Sequence, residues 1–352
     1  MPWAKLESRA TCNLATSGVA HWKLRDLPVR IEDLEINGPT FYGYAPLNEA
    51  LANHCGVPVE RLVVATGTSM ANYLALATVL KPGDEVLIEV PTYEAILATA
   101  KHIGAAIRRF PRTAESGFAL DPAAVERAIT PNTRLVVICN LHNPSSALAE
   151  ESTIREVGEI ARKVGARVMV DEVYLDAAFE RAPRSAGLMG DHFMITSSLT
   201  KVYGLSGLRC GWMVAEPKLA HAAWRLNDLF GNIPAHMAEL ASVIALGELP
   251  RILKNVRERL DRNRAVLDRF LDGRKDLRTP RFPFGTTIFP KLLSGNVDEL
   301  CSLLRKKYDT TVVPGKYFEM ADHFRLGIGG DTGPLEEGLR RLGMALDEIG
   351  GR

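Results

Sequence analysis

Ser197-Ser198-Leu199-Thr200-Lys201-Val202-Tyr203-Gly204-Leu205-Ser206-Gly207-Leu208-Arg209-Cys210-Gly211 is the stretch on which the reading of the chain turns. Its lysine is flanked by hydroxyls and followed by three glycines, and Arg209 stands eight residues after Lys201. Glycines weaken both helices and strands, so the run makes a poor surface helix and a poor core strand. It suits a loop that holds a reactive amine beside an anion. An amine taken out of water loses its proton more readily, and arginine offers a planar fork to phosphate or carboxylate oxygens.

Outward from this loop, short β-branched runs alternate with helical patterns, which predicts βαβ units and a mostly parallel sheet. Strands are expected at Leu62–Ala65, Glu85–Glu89, Leu135–Cys139, Arg167–Val170, Met194–Thr196 and Gly211–Val214. Helices are expected from about Met70 to Leu80, Tyr93 to Ile103 and Glu151 to Val164. In open α/β sheets binding groups collect at the carboxyl ends of the strands. The polar residues Thr66–Ser69, Asn143, Asp171–Tyr174 and Ser198–Lys201 all fall there. From about Pro217 long helices take over, followed by a smaller α+β segment with strands near Thr286–Ile288, Thr311–Val313 and Phe324–Leu326 and a last helix from Pro334 to Ile349. We expect a large domain over residues 36–239 and a small one made of 1–35 and 240–352.

Composition narrows the function classes. The 352 residues are 46% apolar and 24% charged, ordinary for a globular protein large enough for two domains. The 43 basic and 42 acidic residues nearly cancel, so neither nucleic acid nor a membrane surface is an expected partner. Five dispersed cysteines without Cys-x-x-Cys spacing read as reduced thiols. No run approaches the ~20 apolar residues of a membrane span, and the first residues lack the apolar core of a signal peptide. A cytoplasmic location is the expectation. The run Gly327-Ile328-Gly329-Gly330 lacks the G-x-G-x-x-G spacing of a dinucleotide site.

The pattern Ser198-x-x-Lys201-x-Tyr203-Gly204-x-x-Gly207-x-Arg209-x-Gly211 resembles the cofactor-lysine signature of the class I/II aminotransferases, the fold-type I pyridoxal phosphate enzymes. Other segments match in the order that the resemblance predicts: Gly67-Thr68-Ser69, Pro91-Thr92-Tyr93, Asn143-Pro144, Asp171-Glu172-Val173-Tyr174, and Arg325 in His323-Phe324-Arg325-Leu326-Gly327. The family usually has Asn-Pro-(Ser/Thr)-Gly, whereas this chain has Asn143-Pro144-Ser145-Ser146. The likeness runs from about residue 13 to 345.

The resemblance implies an α/β fold: a seven-stranded, mostly parallel sheet between helices plus a smaller α+β domain. It also implies pyridoxal 5'-phosphate as cofactor, with Lys201 as the Schiff-base lysine and proton shuttle. Thr68, Ser69, Ser198 and Arg209 would hold the phosphate, where helix N-terminal amides and an arginine fork favour an anion. Tyr93 would stack on the ring, and Asp171 would keep the pyridine nitrogen protonated. Asn143 and Tyr174 would bind the phenolic oxygen. Arg325 would clamp the substrate carboxylate together with Asn143, under Gly18 of the Asn13–Gly18 segment. Tyr42, in Phe41-Tyr42-Gly43-Tyr44, would reach the phosphate of a neighbouring subunit, which makes a homodimer with shared active sites the expectation, with Asn232-Ile233-Pro234 a candidate for the same interface. The implied activity is transfer of an amino group between an α-amino acid and a 2-oxo acid. The same framework also serves decarboxylases, β-lyases and biosynthetic cyclases or hydroxylases, and fold alone does not choose among them.

Overall fold

The computed structural model describes residue 3 and residues 7–39, 42–231 and 234–350; Phe41, Asn232 and Ile233 lie outside them. A short strand β1 (Cys12–Asn13) precedes the strands of a seven-stranded sheet. These are β2 (Leu62–Thr66), β3 (Glu85–Val90), β4 (Ala106–Pro111), β5 (Thr133–Cys139), β6 (Arg167–Asp171), β7 (Phe193–Ser198) and β8 (Cys210–Val214). Their order is β2-β8-β7-β6-β5-β3-β4, and only β8 runs against its neighbours.

Side chains alternate across each strand, so both faces of these apolar runs are buried. Val136 and Ile138 of β5 pack with Val168 and Val170 of β6 against Ile154, Val157 and Ile160 of helix Glu151–Lys163. Leu135 and Val137 face the other way with Met169, Met194 and Met213, toward Leu74 and Ala75 of helix Gly67–Val79. Edge strand β4 was not expected. Its sequence Ala106-Ile107-Arg108-Arg109-Phe110-Pro111 is mostly half-buried or exposed, and an edge strand tolerates the charges that hide its pattern. Helix Ala45–Cys55 was also not expected, although Pro46 in its first turn and Gly56 at φ 66° behind it are ordinary start and stop signals.

Two local features build one end of the functional edge. Helix Gly67–Val79 starts directly after β2 rather than at Met70, because Gly67 takes φ 78° and turns the chain at once. Thr68 and Ser69 therefore occupy its first turn. The reversed strand β8 pairs Cys210 with Thr66 and Gly211 with Ser198, so its first residue meets the carboxyl ends of β2 and β7. The approach is close: a Cβ on Gly211 would stand 2.4 Å from the Gly67 carbonyl carbon.

Beyond the sheet, helices Pro217–Asn227, His236–Gly247 and Leu249–Asp272 are followed by a three-stranded antiparallel sheet of Thr287–Ile288, Phe324–Gly327 and Val313–Pro314. The last helix, Thr332–Gly350, packs on Leu249–Asp272. The N-terminal segment joins this part: β1 pairs in parallel with Thr310–Thr311, and the Gly327 amide donates to the Leu14 carbonyl at 2.7 Å. The expected domain border at residues 239/240 falls inside helix His236–Gly247, which packs on Ala45–Cys55.

Filling the Gly67–Gly211 contact tests this arrangement. Gly211→Ala is expected to cost about 1–3 kcal/mol of stability through overpacking. Gly207→Ala, whose added Cβ would meet nothing within 4 Å, is expected to be near neutral. Thermal unfolding of both variants beside the parent chain checks the difference.

Candidate active site

A cavity of about 430 Å³ opens at the carboxyl edge of the sheet, within the usual size range of small-molecule sites. Lys201, Thr68, Ser69, Arg209, Arg325, Asn143, Tyr93, Asp171, Tyr174 and Gly18 of the expected set line it, whereas Ser198 and Tyr42 do not.

At the first end the start of helix Gly67–Val79 has no side-chain cap from Thr66, which leaves its first-turn amides to other partners. Arg209, at φ 51°, folds back so that Nη2 donates to the Thr66 carbonyl at 3.1 Å. A Cβ at Gly67 would stand 2.3 Å from that Nη2, so only glycine leaves the guanidinium its place. Thr68 Oγ1 donates to Ser198 Oγ at 2.6 Å, and Ser198 Oγ also pairs with Thr200 Oγ1 at 2.7 Å. Ser198 thus stands behind Thr68 rather than on the cavity wall, which Thr200 and Ser206 share instead. Ser69 and Arg209 are exposed to solvent at this end.

Around Lys201 the site is drier. Asp171 is buried; its Oδ2 accepts from Asn72 Nδ2 at 2.9 Å and its Oδ1 from the Val173 amide at 3.1 Å. Asn72 Oδ1 in turn accepts from Thr196 Oγ1 at 2.5 Å. Burial pushes the Asp171 carboxyl above the ordinary range, and the Asn72 hydrogen bond works against it. Burial pushes the Lys201 amine below the usual lysine range, Tyr93 opposes this, and the Arg325 charge adds to it. Tyr174, also buried, is pushed up to about 12 and donates to Ser17 Oγ at 2.7 Å.

At the far end Arg325 is buried. Its Nη1 donates to Asn143 Oδ1 at 2.9 Å and its Nη2 to the Ala15 carbonyl at 3.0 Å. Its Nε has no partner and it forms no ion pair among the described residues. A buried, unpaired guanidinium is costly and awaits an anion. With its oxygen taken by Arg325, Asn143 keeps its Nδ2 as the donor end.

Tyr42 is not in this cavity. It is half-exposed on the surface, where Arg225 Nη1 donates to its hydroxyl at 3.0 Å and its ring lies 5.8 Å from Trp224. Asn72, Ser17 and Trp3 are among the lining residues that were not foreseen as part of the site. Asn72 left a trace, since it falls four residues after Thr68 on a helix that is otherwise mostly apolar.

The cavity lies at the carboxyl edge of the sheet, where binding sites of open α/β folds collect. The family model for aminotransferase class I and II matches residues 33–342, and the chain belongs to that family. It is 28% identical over 354 residues to capreomycidine synthase of Streptomyces vinaceus, covering 96% of this chain and 90% of the relative. It is 30% identical over 307 residues to arginine–pyruvate transaminase of Pseudomonas aeruginosa, covering 84% and 77%. Among solved structures, a pyridoxal phosphate-dependent aminotransferase from Streptococcus suis superposes with a TM-score of 0.93 at 26% identity, covering 99% and 96% of the two chains. The pyridoxal phosphate-dependent cyclase OrfR shares the fold, with a TM-score of 0.89 at 23% identity over 98% and 95%.

The residues present fit pyridoxal phosphate. The uncapped helix start and Arg209 suit a dianion, the buried Asp171 has no cationic salt-bridge partner among the described residues, and Lys201 offers an amine between them. A lowered amine pKa means more neutral nucleophile at a given pH. Apoprotein is therefore expected to capture added pyridoxal phosphate readily well below the ordinary lysine pKa of 10.5. The rise of visible absorbance followed across pH checks this, and a rate that develops only near the ordinary lysine value would contradict it.

Proposed function

We propose that this aminotransferase exchanges an amino group between an α-amino acid and a 2-oxo acid at a site built around Lys201. Pyridoxal phosphate supplies a carbonyl carbon that condenses with amines and a ring that takes up the electron pair released at Cα. Thr68, Ser69 and Arg209 hold the phosphate, with Ser198 fixing the Thr68 hydroxyl. Asp171, held by Asn72, would pair with the ring nitrogen, Tyr93 would offer its ring face, and Asn143 would bind the phenolic oxygen together with Tyr174 once its one proton turns from Ser17. Lys201 attaches the cofactor and then carries the proton taken from the substrate's Cα, a task that suits an amine with a lowered pKa.

The observation that carries this reading is the buried Arg325, whose Nε lacks a partner in the cavity that Lys201 lines. It binds the substrate carboxylate and, with Asn143, orients the Cα–H bond toward Lys201. Gly18, in the cavity wall, lets its segment approach the lysine loop, since a Cβ there would stand 3.2 Å from the Lys201 carbonyl oxygen.

The active unit is a homodimer in the cytoplasm. Support comes from the solvent-exposed Ser69 and Arg209 and from the exposed Tyr42, Leu229, Phe230 and Met237, with Tyr73 edge-on to Phe230. Tyr42 reaches the partner's phosphate in this reading. All five cysteines are free, and among the described residues no helix is long and apolar enough to cross a membrane.

A second reading, a cyclase reaction on the same cofactor, is favoured by the likeness to capreomycidine synthase along 96% of this chain. A single-turnover experiment separates the two. Amino acid added without oxo acid is expected to bleach the visible band and release one equivalent of 2-oxo acid; a cyclic amino acid product would establish the second reading instead. Lys201→Ala is expected to abolish covalent cofactor attachment. Arg325→Ala is expected to raise KM for the amino acid roughly a hundredfold, with Arg325→Lys a poor substitute because it lacks the fork. Sedimentation of the holoenzyme is expected to give twice the chain mass.

A further inference from the structure

Ser17 belongs to none of the groups assigned above, yet it touches two of them. It is buried in the wall of the cavity. Its Oγ accepts from the Tyr174 phenol at 2.7 Å and from Lys201 Nζ at 3.2 Å. The second is the one side-chain hydrogen bond that Lys201 makes among the described residues. A hydroxyl has two lone pairs and one proton, so both lone pairs are engaged.

The backbone under Ser17 is held from three sides. Thr286 Oγ1 donates to the Ser17 carbonyl at 2.8 Å, the Val19 amide donates to the Lys201 carbonyl at 2.9 Å, and Arg325 Nη2 binds the Ala15 carbonyl at 3.0 Å. Oγ is therefore a rigid acceptor beside a flexible side chain. Lysine has four side-chain torsions to freeze, and one fixed hydrogen bond selects among the resulting rotamers.

We propose that Ser17 is a positioning residue for Lys201: its hydroxyl accepts from Nζ and holds the amine in place at the cavity wall. This rests on the reading of Lys201 as the attachment and proton-carrying lysine. One N–H of the amine is donated to Ser17, which leaves the lone pair and the second N–H free to turn toward the space where the Cα proton is presented. When the proton arrives, the ammonium remains a donor to the same oxygen. The acceptor favours the charged form slightly and offsets part of the depression that burial and Arg325 impose on the amine.

The test compares Ser17→Ala with Ser17→Thr in the full chain and reads two quantities. The first needs no turnover: the pH midpoint for capture of pyridoxal phosphate by the apoprotein. The second is kcat and KM for the amino acid in the holoenzyme. Loss of an acceptor to an ammonium is expected to move the Ser17→Ala midpoint down by roughly one pH unit. It is expected to lower kcat at least about tenfold with KM changed less than about threefold, because the hydroxyl acts on the proton carrier and not on the carboxylate clamp. Ser17→Thr, which keeps the hydroxyl, is expected to restore both quantities.

An unchanged midpoint and kcat in Ser17→Ala overturn the proposal, and so does a rise in KM alone, which would make Ser17 a substrate contact. Should Ser17→Ala fail to fold by circular dichroism, Ser17→Cys, of similar size but a weaker acceptor, is read against the same outcomes. Lys201→Ala keeps the two levels apart. Covalent capture surviving in that variant defeats the reading of Lys201, whereas an inert Lys201→Ala beside a parent-like Ser17→Ala defeats only the role of Ser17.

Discussion

Gly67 and Gly211 meet backbone to backbone, and the end of the cavity lined by Thr68, Ser69 and Arg209 depends on that contact. A Cβ on Gly211 would stand 2.4 Å from the Gly67 carbonyl carbon, so neither strand β2 nor strand β8 could approach as it does with a side chain between them. Because β8 is the one reversed strand, its beginning lies where its neighbours end. Eleven residues, Leu199 to Arg209, span the gap between β7 and β8. Within that span Lys201 is set in the cavity wall and Arg209 is returned to the start of helix Gly67–Val79. One glycine contact and one reversed strand thus bring the amine and the anion-binding fork to the same sheet edge.

The opposite end is built by the strap of residues 13–19, which lies between the lysine loop and strand Phe324–Gly327. Backbone bonds tie it to both: Val19 to Lys201, and Gly327 to Leu14. Gly327 again admits no side chain, since a Cβ there would stand 1.8 Å from the Thr16 carbonyl oxygen. Arg325 binds the strap through Ala15 and the sheet edge through Asn143, and so bridges the two halves of the site. Its charge, buried without an ion-pair partner among the described residues, costs stability in the free protein, and a bound carboxylate, as proposed, would relieve it. Stability and function pull apart at that residue, a common feature of binding sites.

Much of this was legible along the chain. The apolar strands, the glycines of the lysine loop and the residues Thr68, Asp171, Lys201 and Arg325 carry local patterns that neighbours in sequence reveal. Edge strand β4 was hidden because half of its residues face water and its arginines break the apolar run. Asn72 was hidden because a single polar residue in a buried helix has no meaning until Asp171 arrives from a strand ninety-nine residues away. Ser198 matched the phosphate pattern yet supports Thr68 from behind, a distinction of depth that spacing does not encode.

By itself the sequence determined the alternation of strands and helices and the turn chemistry of the glycines, which follow from local propensity and periodicity, and through its resemblance to a family it offered a set of candidate reacting groups. The tertiary structure alone decided which groups became partners. The Asn72–Asp171 bond, the Arg325–Asn143 bridge and the placing of Ser17 against Tyr174 and Lys201 join residues 99, 182, 157 and 184 positions apart. Contacts of that range are created by packing, where burial strips away water and makes a partner obligatory, and no local pattern anticipates which partner it will be.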